Sequence, residues 1–111
     1  MNNSIGMEEI KNLVQPLIDR TEFTLEEVQS DCRKPRLTIV RHLLFWYLRS
    51  LKNTEGKHLY SLPKIAEFFN RNHSTVIHGI NNVVNFIEAK DALTMIYVHK
   101  CGLKVHNIIA K

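Results

Sequence analysis

Residues Ser61 to Asn85 read SLPKIAEFFNRNHSTVIHGINNVVN. Ser61 suits the N-cap of a helix whose second position is Pro63, where a missing amide costs nothing. Leu62, Ile65, Phe68 and Phe69 recur at helical spacing and point inward. Asn70, Arg71 and Asn72 supply a turn of residues tolerant of left-handed or cap geometry. Asn72 is then the best N-cap of a second helix, on which Val76, Ile80, Val83, Val84 and Ile87 face a core. His73, Ser74, His78, Asn81 and Asn85 are left toward a groove or solvent. Two capped helices joined by a tight polar turn have the arithmetic of a helix-turn-helix. Asn72, His73, Ser74 and Thr75 fall where a recognition helix meets base edges in the major groove.

Working outward, apolar residues recur at three and four throughout the chain and no segment alternates, which predicts an all-α, compact helical bundle containing the helix-turn-helix. Ile10, Leu13, Val14, Leu17 and Ile18 form one stripe of a first helix, with Pro16 inside it expected to bend or restart it. Thr24 with Glu27 makes a capping box for a short helix that turns Leu25 and Val28 inward. From Arg36 to about Lys52, Leu37, Val40, Leu43, Leu44, Tyr47, Leu48 and Leu51 wind an apolar stripe around a third helix. Asn53 to Tyr60, with Gly56, reads as a loop. Asp91 caps a last helix, Ala92 to about Ile109, with Leu93, Ile96, Tyr97, Leu103, Val105 and Ile108 closing the bundle and Gly102 a point to kink or end it. The 111 residues are expected to form one domain over 7–111, after a disordered stretch at 1–6.

The net charge of +4 is unevenly spread. Residues 1–30 hold Glu8, Glu9, Asp19, Glu22, Glu26 and Glu27 against Lys11 and Arg20, a balance of −4. Residues 31–58 hold Arg33, Lys34, Arg36, Arg41, Arg49, Lys52 and Lys57 against Asp31 and Glu55, a balance of +5. A basic stretch beside a helix-turn-helix is the electrostatic footprint of phosphate binding. Arg33, Arg41 and Arg49 stand eight residues apart and read as one basic edge along the third helix.

Other chemistries find little support. The longest mainly apolar run, Leu43 to Leu48, is far short of a membrane span, and the start MNNS is no signal-peptide n-region, so a soluble cytoplasmic protein is expected. Cys32 and Cys101 are too few for a disulfide framework. His99, Cys101 and His106 lack both a fourth ligand and a standard zinc spacing, and no metal is expected. Ser74 beside His73 is not a nucleophile and base arrangement, so no catalytic residue and no cofactor are assigned. The Phe45-Trp46-Tyr47 cluster reads as core or partner surface rather than a base-stacking platform.

With those residues in view, the chain resembles the C-terminal DNA-binding domain of the DnaA family of bacterial chromosomal replication initiators. Ser61-Leu62-Pro63-Lys64-Ile65 is similar to the family's SLPEI entry, and Asn72-His73-Ser74-Thr75-Val76 to its DHTTV signature. The resemblance implies base contacts by Asn72, His73 and Ser74 in the major groove and by Arg33 in the minor groove. It implies phosphate contacts by Arg41, Arg49, Thr75, His78 and the backbone at Leu62 and Pro63. The chain departs from the pattern at Asn72, where the family has an aspartate that accepts from a cytosine amino group, and at Ser74, where it has threonine. The turn is one residue shorter and the loop from Lys52 to Tyr60 longer. No G-x-x-x-x-G-K-[ST] phosphate loop occurs, so neither an ATPase module nor a bound nucleotide is expected. The expected partner is double-stranded DNA. The alternative is a protein-interaction bundle or a regulator that kept the scaffold but not origin recognition, docking a partner or a second copy through the acidic N-terminal third or the aromatic cluster.

Overall fold

The computed structural model describes the backbone of residues 2–104 and the side chains of residues 6–104. Among the described residues the chain is helical throughout: α1 (Asn2–Ile18), α2 (Leu25–Gln29), α3 (Pro35–Ser50), α4 (Leu62–Phe68), α5 (His73–Glu88) and α6 (Ala92–Cys101). The all-α expectation holds. α3 is the central element and packs against each of the other five, most extensively against α5. Its buried Leu37, Val40, Leu43, Leu44, Phe45 and Leu48 meet Ile10, Val14 and Ile18 of α1, Ile65 of α4, and Val76, Val83 and Ile87 of α5 in one core. Burial of this apolar surface is the main driving term for the bundle.

Local chemistry places the helix ends. The Thr24 hydroxyl accepts from Glu27 N–H while the Glu27 carboxylate accepts from Thr24 N–H, completing the capping box. Ser61, Asn72 and Asp91 cap α4, α5 and α6 by accepting from Lys64, Thr75 and Thr94 N–H. Asn70 sits at φ 58, the left-handed geometry that lets α4 stop and α5 start within four residues. Gly102, at φ 72, ends α6 after Cys101, well before Ile109. Val105, His106 and Ile108, expected on that helix, lie outside the described residues.

α1 runs from Asn2 to Ile18 without a break, so Pro16, exposed near its C-terminal end, does not restart the helix.

α6 is tied in by polar contacts as well as burial. The Tyr97 hydroxyl, on a ring at zero exposure, donates to the Glu22 carboxylate, and this bond holds Glu22 below the ordinary carboxylate range. Cys101 is buried, with its thiol donating to the Leu17 carbonyl at 3.9 Å and pushed up to about 11 by burial. It therefore behaves as a small core residue.

Candidate nucleic-acid interface

The second helix of the motif, α5, divides as its sequence requires. Val76, Gly79, Val83 and Ile87 are buried against α3, while His73, Ser74, His78, Asn81 and Asn85 are exposed. Asn72 is exposed and Thr75 half-buried. Within the first turn the polar groups bond to one another: Asn72 Oδ1 accepts from Thr75 N–H at 3.0 Å, from Thr75 Oγ1 at 3.0 Å and from Ser74 Oγ at 2.8 Å. This arrangement fixes the first-turn side chains before any partner arrives, which lowers the ordering cost of binding.

The close approach of α5 to α3 depends on Gly79, whose importance the sequence did not reveal. A Cβ there would come within 2.7 Å of His42 Cδ2 and of Phe45 Cδ2. The ring of His42 packs against Phe45, and Phe45 against Phe69 in an edge-on arrangement. Burial, with Arg41 and Arg71 nearby adding repulsion, lowers His42 to about 4, so its imidazole is neutral at pH 7.

The three arginines do not form one edge. Arg33 is exposed just ahead of α3, at the rim of an open cleft shared with His42, Asn82, Phe86 and Asp91. Arg49, in the last turn of α3, is half-buried and donates to the Tyr60 carbonyl at 3.1 Å, which sets it beside the start of α4. The 16 residues of α3 separate these two ends by about 24 Å.

Arg41, expected among the phosphate contacts, is held largely within the chain. It is only 4% exposed, and its donors reach the carbonyls of Val28 (2.8 Å), Ser30 (3.0 Å) and Cys32 (3.0 Å), with Glu27 at 3.4 Å. Nε and Nη2 of this guanidinium are thus committed to backbone carbonyls rather than to solvent. Arg71, which the sequence marked only as a turn residue, joins it by donating to the same Ser30 carbonyl and to that of Phe69. Gln29 donates in turn to the Phe68 carbonyl at 2.7 Å. The motif's turn and the segment leading to Arg33 are thus clamped together.

Pro63 also needs correcting as a backbone donor, because proline has no N–H. Lys64 N–H is already taken by Ser61, which leaves the Leu62 amide as the donor at that helix start. His78 is exposed one turn beyond Ser74.

The two surfaces held as partner sites make some contacts within the chain while the acids stay exposed. Among the acids, Glu9 accepts from Tyr60, Asp19 from Gln15, Glu22 from Tyr97 and Glu27 from Thr24. Phe45 is fully buried, and Trp46 and Tyr47 are half-buried against the core. Among the described residues no helix is long and apolar enough to cross a membrane, and no three His, Cys, Asp or Glu side chains are grouped as a metal would require.

The family model described as bacterial dnaA protein helix-turn-helix matches residues 7–83, which run from within α1 to within α5 and include α4, the turn and the first part of α5. The chain belongs to the DnaA helix-turn-helix family. Relatives include the chromosomal replication initiator protein DnaA of Oleidesulfovibrio alaskensis, 36% identical over 75 residues, covering 68% of this chain and 15% of the relative. That of Mycoplasma pneumoniae is 31% identical over 81 residues, covering 73% and 17%. That of Streptococcus mutans is 32% identical over 71 residues, covering 63% and 14%. The matched part is thus about one sixth of these DnaA proteins. No solved structure matches the chain. Membership of this family makes the α4–α5 pair its helix-turn-helix.

Proposed function

We propose that the chain recognises a specific duplex sequence, of the type bound by a replication initiator at an origin, by placing the start of α5 in the major groove. The observation that carries this reading is the exposure of Asn72, His73 and Ser74 on a helix whose opposite face is buried against α3. A major groove about 12 Å wide admits one helix, and the imidazole and hydroxyl groups can each accept or donate to base edges. The Thr75 methyl suits thymine methyl groups.

Arg33 and Arg49, about 24 Å apart along α3, are too far apart for a single groove and suit contacts on either side of the helix tip. Arg33 is assigned to the adjacent minor groove. Arg49, His78 and the Leu62 amide are assigned to backbone phosphates, whereas Thr75, whose N–H and hydroxyl both donate to Asn72 Oδ1, is left with its methyl for the groove. Arg41 serves this interface indirectly by fixing the segment that presents Arg33.

The activity assigned to the chain is binding without catalysis. Its 111 residues contain no phosphate-binding loop for ATP, so the nucleotide-driven work of a complete initiator is not assigned to it.

In vitro selection from a random duplex library, followed by a salt titration on the winner, tests the proposal. One enriched motif is expected, with affinity falling steeply from low to moderate salt as counterions are released. Failure to enrich any sequence, or weak binding indifferent to salt, overturns it.

A further inference from the structure

Resting on that reading of the α5 tip, we propose that Asn72 acts toward DNA as a hydrogen-bond donor, and that the base it faces presents an acceptor there, guanine, thymine or adenine rather than cytosine. The orientation of its amide follows from chemistry. Thr75 N–H can only donate, so the Asn72 atom that meets it at 3.0 Å is the carbonyl oxygen. Two further donors, Thr75 Oγ1 and Ser74 Oγ, fall on the same oxygen at 3.0 and 2.8 Å. Three donors exceed the two lone pairs of an amide oxygen, and nothing remains for a base. The Nδ2 amino group is the other end of the amide. Among the described residues it has no hydrogen-bond partner, and the side chain is exposed.

The same bonds set the polarity of the neighbouring hydroxyls. Ser74 and Thr75 direct their hydrogens at Asn72 Oδ1, so each shows lone pairs outward. The tip therefore carries a donor at position 72 beside acceptors at 74 and 75. This complements a groove edge on which a carbonyl or ring nitrogen lies next to an exocyclic amino group. Exchanging the Asn72 nitrogen for oxygen would keep the cap and invert what the base meets.

Selections run in parallel on the wild type, Asn72→Asp and Asn72→Ser test this. Both replacements can still accept from Thr75 N–H, so all three proteins should melt within a few degrees of one another. The wild type should favour guanine, thymine or adenine over cytosine by about tenfold at one position, the scale of a single good base contact. Asn72→Asp should move that position toward cytosine on the same strand, and Asn72→Ser should flatten it. Identical base preferences in the wild type and either variant, or a wild-type preference for cytosine at the position the variants alter, would overturn the donor role while leaving DNA binding intact. No enrichment by the wild type would instead remove the DNA-binding reading and this inference together.

Discussion

The surroundings of Arg41 and the start of α5 are both rich in polar groups, yet they differ in where their hydrogen-bonding capacity goes. Around Arg41, carbonyls of Val28, Ser30 and Cys32, with Glu27 slightly farther, absorb the guanidinium donors of a side chain that is 4% exposed. At the start of α5 one oxygen, Asn72 Oδ1, takes up three donors, while His73 and the outer faces of Asn72 and Ser74 stay open to solvent. On the proposed function, residual hydrogen-bonding capacity, rather than charge, distinguishes a reading surface from its scaffold. An arginine is the usual first choice for a phosphate, but here one of three is part of the frame.

The largest effect expected from this contrast is on Arg41. Arg41→Ala should cost about 3 kcal/mol or more in urea denaturation, because several buried carbonyls lose their donor at once. The fraction still folded at low temperature should keep the wild-type salt dependence of DNA binding. Full stability with a shallower salt slope would return Arg41 to the interface.

Next comes the α3–α5 contact. Gly79→Ala should destabilise by about 1–3 kcal/mol through crowding of His42 and Phe45, outweighing the better helix propensity of alanine. A more stable variant would mean that the helices part easily.

His42 in the same contact gives a smaller, pH-dependent effect. Its folded value of about 4 lies below the ordinary 6.5, so on acidification the unfolded chain takes up the proton first. The contribution is present above about pH 6.5 and is lost as pH falls from there toward 4. Allowing for screening of the partly accessible ring, it amounts to about 2 kcal/mol. Wild type should therefore lose that much more stability than His42→Asn between pH 7 and pH 4, read by chemical denaturation at each pH. Parallel curves would contradict the burial.

Smallest in stability is the exposed Arg33, just ahead of α3. Arg33→Ala should change folding by less than about 0.5 kcal/mol. Arg33→Ala and Arg49→Ala should each reduce the slope of log affinity against log salt by about 0.9. An unchanged slope in both would leave the tip of α5 without its flanking anchors.

Much of the fold was legible because its signals are local. Thr24, Ser61, Asn72 and Asp91 cap the helices that their neighbours suggested, since a cap needs only an oxygen three residues ahead of an amide. The exposed face of α5 followed from spacing alone. The end of α6 was placed too late because Gly102 was weighed as a kink as much as a stop, and the left-handed conformation decides for the stop. Arg41 was misplaced although the stripe contained the warning: it stands four after Leu37, three before Leu44 and seven before Leu48, all buried. Spacing by eight from Arg33 and Arg49 carried less weight than that apolar register. The partners of Arg41 and Arg71 were out of reach, because they are backbone carbonyls brought together by the turn between α2 and α3. Gly79 gave no local sign, since its role depends on how closely another helix passes.

The most direct test compares His73→Ala with the wild type on the selected duplex and on a scrambled duplex of equal length, at one salt concentration. If the start of α5 reads bases, the variant should narrow the affinity gap between the two duplexes by about 1–3 kcal/mol, with most of the loss on the selected site. Equal loss on both duplexes, or none on either, would contradict the account.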